Sequence, residues 1–384
     1  MQKILIATGI FPPDIGGPAT YGQIIADTLV ERGFKVRVIT YGSDNSTKEK
    51  FPISRISRSI PKGLRHLIYF CRLFFLIRKS DAVLALNATS AGGLALVWAR
   101  MFKKKFIVRI VGDYAWERAV AKGKTSLLID DFQKSSNRGF LHSIQVKTCK
   151  KADKVIVPSE YLKKIITGWG IEEGKITVVY NAVDFKKSDL SKEEARKEIG
   201  IPGNIILSVG RLVPWKGFRM LIKIMPKLFE ISQFFRLVIV GDGSERKNLE
   251  QMVKNMNLDR RVFIVGKKSK EELAVYFAAS DMFVLNSGYE GFSHQILEAM
   301  VSGVPVIASA ISGNKEVIDQ GENGFLVKYN DEFNLIEAIK GLWQSQELRD
   351  EFSQKGEETV RKFSLEKMIE RTIKVLNNDA NMQM

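Results

Sequence analysis

The chain of 384 residues carries 59 Lys and Arg against 43 Asp and Glu, a net charge of +16, with 45% hydrophobic and 27% charged residues. That balance is ordinary for a soluble globular protein, and the length exceeds one typical core, so two domains of similar size are expected. Two cysteines, Cys71 and Cys149, and three scattered histidines, His66, His142 and His294, exclude a disulfide framework and give no zinc-ligand spacing.

The charge is uneven. Residues 201–384 hold 24 basic and 24 acidic side chains, whereas residues 51–150 alone hold 19 basic and 5 acidic. An anionic partner of the first half explains such asymmetry better than solubility does. The opening MQKILIATG reads as a strand, too short for a signal-peptide core. The longest apolar run, Leu67 to Ile77, is broken by Arg72 and falls short of the ~20 residues of a membrane span. A reducing cytoplasm is the expected setting.

Lys3 to Gly9 is a first strand, followed by the turn FPPDIGGPAT and a helix from about Thr20 to Arg32. Gly33 stops that helix, and Val36 to Thr40 is the next strand. Strand, Gly-bearing turn, helix, strand is a nucleotide-type βαβ unit, although a lone Gly-Gly turn is weak evidence. Asp44 to Pro61 reads as loop. Residues 61–80 read as a helix mixing Leu67, Phe70, Phe74 and Phe75 with Lys62, Arg65, Arg72, Arg78 and Lys79. It fits either a helix packed on the sheet with a charged outer face or one meeting an anionic membrane.

Strands follow at Ala82 to Leu86 and Phe106 to Val111, with a helix at Ala91 to Met101 between them. The second runs into GDYAWERA, which sets Asp113 at the carboxyl end of a buried strand. Lys122 to Lys151 is basic and interrupted at KSSNRGF. Lys154 to Val157 is a strand, Ser159 caps a helix, and Lys175 to Tyr180 ends in YNAVD. Lys186 to Gly200 reads as a charged helical linker into the second domain.

The α/β alternation then repeats. Asn204 to Gly210 is a strand followed by RLVPWKGF and a helix to about Phe229. Arg236 to Val240 precedes the turn GDGSERKNLE, and Arg261 to Gly266 precedes a helix from Lys270. The G-x-G of that turn lacks the third glycine of a dinucleotide fingerprint and reads as a turn only. Phe325 to Val327 is a last short strand, and helices from Asp331 to near Asn377 close the domain.

Asn286 to Ala308, NSGYEGFSHQILEAMVSGVPVIA, is the most informative stretch. Asp281 to Leu285 and Val304 to Ala308 are strands, and Ser293 caps a helix reaching about Ser302. A helix N-terminus at the carboxyl end of a strand is an anion site, where ligands of open α/β sheets bind. Glu290 and Glu298 stand there as E-x7-E. Read alone, Glu298 fits equally a solvated face shared with His294, Gln295 and Ser302. The apolar helix around it favours a buried position that needs a partner.

EGFSHQILEAMVSGVPVIASAISGNKEVI resembles the signature of the retaining family-4 glycosyltransferases, and the resemblance extends over most of the chain. It implies a GT-B fold: two Rossmann-like parallel-sheet domains facing a cleft. Residues 1–185 would hold the acceptor and residues 186–360 a nucleotide-sugar donor, with a helix from 361–384 crossing back to the first domain. It implies that Gly16 and Gly17 bend over the donor phosphates. Arg211 and Lys216 would neutralise a departing diphosphate, with Gly210 beside them. Gly266 and Lys267 would meet the nucleobase, Glu298 the ribose, and Glu290 the donor sugar. The N–H groups of Gly291, Phe292 and Ser293 would help hold the phosphates. Relatives often carry a His near the reaction centre where this chain reads VGDY, so Asp113 takes its place in the expected catalytic set with Arg211, Lys216 and Glu290. Ala182 stands where the family's interdomain turn usually has Gly.

The implied chemistry is glycosyl transfer with retention and without a metal, since no D-x-D stands at a strand end. No cofactor is expected beyond the UDP- or GDP-sugar co-substrate. The expected acceptor is an anionic or lipid-linked glycan, with peripheral contact at the inner face of an anionic membrane. An epimerase acting on the nucleotide sugar, or a non-catalytic basic protein, are the competing readings. No nucleic-acid motif is present, and no aromatic residues interleave a basic stripe.

Overall fold

The computed structural model describes residues 1–14, 16–42, 49–136 and 138–377. Two compact units share the chain. One comprises Met1–Arg118, Phe132–Tyr180 and the segment from Glu366 on; the other comprises Ala119–Asp131 and Asn181–Leu365.

In the first unit, short runs form strands, and the central ones are apolar and buried on both faces, as parallel sheets require. They are β1 (Lys3–Ala7), β2 (Lys35–Tyr41), β3 (Ile53–Ile56), β4 (Ala82–Ala85), β5 (Lys105–Arg109), β6 (Lys154–Val157) and β7 (Ile176–Val178). All pairings are parallel, in the order β3-β2-β1-β4-β5-β6-β7. Register is set at the centre by Ile4 opposite Val36 on one side and Ala82 on the other. The helices between are α1 (Gly17–Glu31), α2 (Lys62–Arg78), α3 (Gly92–Met101), α4 (Tyr114–Ala121), α5 (Ile129–Lys134), α6 (Gly139–Lys151) and α7 (Glu160–Gly168).

Two expectations need correction here. The stretch read as loop from Asp44 to Pro61 contains β3, an edge strand paired with β2; residues 43–48 of that stretch lie outside the described ones. Ile-Ser-Arg-Ile is too short to show a period, and it is fixed from outside, by Arg55 donating to the Pro12 carbonyl at 2.6 Å. The first helix begins at Gly17 rather than Thr20, because Pro18 sits in its first turn, where a missing N–H costs nothing.

The second unit repeats the plan. Its elements are α8 (Lys192–Ile199), β8 (Asn204–Val209), α9 (Phe218–Ile231), β9 (Phe235–Val240), α10 (Arg246–Asn255), β10 (Val262–Gly266), α11 (Lys270–Ala278), β11 (Met282–Leu285), α12 (His294–Val301), β12 (Val306–Ser309), β13 (Phe325–Val327), α13 (Glu332–Gln344) and α14 (Gln346–Val360). The parallel order is β10-β9-β8-β11-β12-β13. Ile206, Phe218, Leu237, Met282, Ile307 and Phe352 lie in one continuous core. The linker expected as helix from Lys186 starts only at Lys192. Ser191 sets that start: its hydroxyl accepts from the Glu194 N–H while the Glu194 carboxylate reaches back to Ser191, a capping box.

A last helix, α15 (Leu365–Leu376), packs within the first unit. Thr372 shares a 2.9 Å hydrogen bond with Tyr21 of α1. Lys105 Nζ donates to the carbonyls of Val375 and Leu376, satisfying orphan acceptors at the helix end.

Candidate active site

In an open parallel sheet, ligands bind outside the carboxyl ends of the strands where the order reverses. In the second unit that point lies between β8 and β11. The loops leaving these two strands are RLVPWKG and NSGYEG. They are joined directly, since the Gly288 N–H donates to the Trp215 carbonyl at 2.7 Å. Gly217 completes the join. Its φ of +68° is left-handed, and a Cβ there would lie 1.7 Å from the Asn286 carbonyl oxygen. Only glycine satisfies both constraints.

The join brings Lys216 and Glu290 together. Lys216 Nζ lies 2.5 Å from Glu290 Oε1, and both residues are buried, at 7% and 8% exposure. Neighbouring loops brace the pair. The Gly313 N–H donates to the Glu290 carbonyl at 3.2 Å, and the Gly241 N–H donates to the Gly266 carbonyl at 2.9 Å. Lys216 also lies against the Cα of Gly210, with Cε 3.5 Å from where a Cβ would stand. A buried ammonium can offer donors beyond the one on Glu290, and Glu290 Oε2 takes no hydrogen bond among the described residues. The pair can therefore meet a ligand that carries both negative charge and hydroxyl groups.

The other expected residues of this unit fall around the same strand ends. Arg211 stands two residues beyond the β8 end, is exposed, and its guanidinium lies 5.8 Å from the Trp215 ring centre. Gly266 ends β10 in the left-handed region at φ +76°, and Lys267 is exposed beside it. Gly291 and Phe292 are buried in the loop before α12; the Phe292 carbonyl accepts from Asn181 Nδ2 at 3.2 Å. Ser293 caps α12 by accepting from the Ile296 N–H, so its hydroxyl serves the helix. Glu298 keeps partial access to solvent, yet the protein around it pushes its carboxyl up to about 7, with Lys270 pulling weakly the other way. Burial disfavours the charged form here.

In the first unit the order reverses between β1 and β4. Gly16 is the N-cap of α1 and Gly17 its first residue, at the end of the loop leaving β1. Asp14 of that loop is held by Arg58 at 2.5 Å. Asp113 is fully buried and accepts from four donors: the N–H groups of Ala115 and Trp116, Gln133 Nε2 at 2.8 Å and Gln145 Nε2 at 3.0 Å. Both oxygens are engaged. That geometry is a cap for α4 and an anchor for two glutamines, and it does not suit proton exchange with a ligand.

With this geometry in view, the comparisons decide the family. The model of "Glycosyl transferases group 1" matches residues 191–359, and that of "Glycosyltransferase Family 4" matches residues 15–187. The chain belongs to the group 1, family 4 glycosyltransferases. An uncharacterized glycosyltransferase of Methanocaldococcus jannaschii is 29% identical over 341 residues, 85% of each chain. The N-acetylgalactosamine-N,N'-diacetylbacillosaminyl-diphospho-undecaprenol 4-alpha-N-acetylgalactosaminyltransferase of Campylobacter jejuni is 27% identical over 59% of this chain and 60% of its own. Among solved structures, HepE of Anabaena in complex with UDP and glucose matches with a TM-score of 0.80 at 20% identity, covering 98% of this chain and 99% of that one. The fold of this glycosyltransferase is thus GT-B, two parallel-sheet Rossmann-like units of seven and six strands.

Several residues that organise the glycosyltransferase's loops were not legible as such. Asn286 Nδ2 donates to Asn330 Oδ1 at 2.9 Å while Asn286 Oδ1 accepts from the Asn330 N–H, which fixes the end of β11. In the first unit, Asn87 Oδ1 accepts from the N–H groups of Thr89 and Ala91, shaping the loop after β4. Asparagines at strand ends were the available signal, because they mimic backbone turns.

Proposed function

We propose that this glycosyltransferase takes a UDP- or GDP-sugar in its second unit and transfers the sugar with retention, without a metal, to a lipid-linked or other anionic glycan. The single observation that carries the donor reading is the buried Lys216–Glu290 pair at the switch point of the second sheet. On this reading Lys216 and Arg211 meet the diphosphate, whose charge grows as the glycosidic bond breaks. Glu290 holds a hydroxyl of the sugar and Glu298 those of the ribose. The N-terminal end of α12, with Gly291, Phe292 and Ser293, adds its dipole. Gly210 leaves room for Lys216, and Gly266 and Lys267 border the base. Asp113 acts by positioning α4. On this reading Lys216, Arg211 and the α12 dipole take the charge-neutralising role that a metal would otherwise fill. The HepE complex with UDP and glucose supports a uridine nucleotide.

A thermal-shift panel of UDP, GDP, ADP and their sugars tests this reading. The right nucleotide at ~100 times its dissociation constant should stabilise the chain by ~2.7 kcal/mol. No shift with any of them removes the donor assignment.

We further infer that the first unit docks on an anionic membrane through α2. No helix among the described residues is long and apolar enough to cross a membrane. Phe70 and Phe74 do not face outward as the sequence reading allowed; both pack on Trp98 of α3, at 4.6 and 5.0 Å between ring centres. Leu64, Leu67 and Phe75 are the exposed ones, at 51%, 57% and 64%. Their spacing places them on one face of α2, beside exposed Lys62, Arg78 and Lys79. Each such cation contributes about 1 kcal/mol near an anionic surface, within a Debye length of ~8 Å at physiological salt. The diphospho-undecaprenol in the name of the Campylobacter relative supports a membrane-borne acceptor. Arg65 and Arg72 are tied to the carbonyls of Arg58 and Arg55, so the clean variant is Leu67→Ser with Phe75→Ser. It should lose salt-sensitive sedimentation with anionic vesicles while keeping its nucleotide thermal shift. Equal, negligible binding of the unaltered protein to neutral and anionic vesicles would end the membrane reading.

A further inference from the structure

The first unit contains a second cationic site that none of the donor roles uses. A cavity of about 480 Å³ is lined by Arg138, His142, Lys147, Lys150, Lys151 and Trp169, along α6 and the end of α7. The three lysines are exposed and Arg138 is half-buried, while His142 and Trp169 are only 7% and 5% exposed. No carboxylate lines the cavity among the described residues, and within that set none of the four cations has an ion-pair partner. Some other basic side chains of this unit are ion-paired: Lys50 to Glu31, Arg58 to Asp14, Arg100 to Asp153 and Lys163 to Glu173. Four like charges held together without counter-charge repel one another, and an anion removes that cost.

His142 gives the cavity a buried wall. Its Nδ1 is shut off from water and has no hydrogen-bond partner, so the ring lines the cavity without presenting that atom to it. The ring is rigidly placed, edge-on to Trp169 with centroids 5.1 Å apart. Trp169 in turn donates from Nε1 to Gln133 Oε1 at 2.8 Å, and Gln133 donates to Asp113. Asp113 is the one carboxylate His142 senses, and its oxygens are already occupied by four donors. Val146 and Trp169 add apolar surface, which suits an organic group attached to the anion.

We propose that this cavity binds a phosphate or diphosphate group, with Arg138, Lys147 and Lys150 meeting its oxygens. The group belongs either to a lipid headgroup or to a free phosphate compound. The site does not depend on the donor reading, since no residue is shared.

Calorimetric titration of the full chain with inorganic pyrophosphate, in the presence of a saturating nucleoside diphosphate, tests it. One saturable event per chain is expected. Lys147→Glu with Lys150→Glu should weaken it at least 30-fold, as both side chains are exposed and the fold does not rest on them. A second arm uses farnesyl diphosphate. Tighter binding than pyrophosphate assigns the site to a lipid headgroup, and equal binding assigns it to free phosphate. The proposal is overturned by absence of a saturable event with either probe. It is overturned equally by affinities that the double variant leaves unchanged.

Discussion

Lys216→Ala is expected to lower turnover on the order of 10²–10³-fold and to destabilise the fold by about 3–5 kcal/mol. The first figure is typical for losing one donor that meets charge developing in the transition state. The second follows from burial: Glu290 would be left as an uncompensated carboxylate at 8% exposure, 2.5 Å from the lost ammonium. The two effects separate cleanly. Lys216→Ala with Glu290→Gln removes the stranded charge, so much of the stability should return while turnover stays low. Arg211→Ala supplies the contrast, because Arg211 is exposed at the same strand end. It should lower turnover and leave stability within about 0.5 kcal/mol. Denaturation curves and steady-state rates on the four proteins check this. Normal turnover in Lys216→Ala would remove the pair from the chemistry.

The second large effect is a pH dependence set by Glu298. Its carboxyl is pushed up to about 7 by the protein around it. As an acceptor for ribose hydroxyls it acts best when ionised, so nucleoside diphosphate affinity should rise as pH increases through 7 and level off above about 8. The slope approaches tenfold per pH unit well below 7. Stability should run the opposite way. A carboxyl raised above its unfolded value contributes stability that is complete below about 4.5 and is lost as pH climbs through about 7. Glu298→Gln should therefore flatten the binding profile and make the ligand-free protein more stable than the parent at pH 8. Glu290→Gln should spare nucleoside diphosphate affinity and damage sugar transfer. If calorimetry from pH 5.5 to pH 8.5 shows one and the same profile for the parent and Glu298→Gln, the ribose role belongs elsewhere.

The strands were the most legible part of this chain, because runs such as Ile4 to Ala7 and Val306 to Ser309 are buried on both faces. The E-x7-E stretch was legible for a similar reason: Ser293 starts a helix between two apolar strands, and it does so in the structure. Spacing did not reveal that Lys216 touches Glu290, 74 positions away. That contact depends on β8 and β11 being neighbours, and on Gly217 fitting under Asn286. The surroundings of Asp113 were not legible, for a local reason. A carboxylate after a strand reads as a catalytic group or as a helix cap, and only the presence of Gln133 and Gln145 around it distinguishes the two. The aromatic residues of α2 divided differently from the reading because Trp98 of α3 and Phe102 just after it claim Phe74.

The most direct measurement is NMR analysis of the products formed from the nucleotide sugar that the thermal-shift panel selects, incubated with and without a lipid-linked glycan acceptor. Nucleoside diphosphate and a new glycosidic linkage of the donor's own anomeric configuration should form only when acceptor is present, and Lys216→Ala should nearly abolish both. An inverted linkage, or conversion of the sugar nucleotide itself without acceptor, would contradict the proposed transfer.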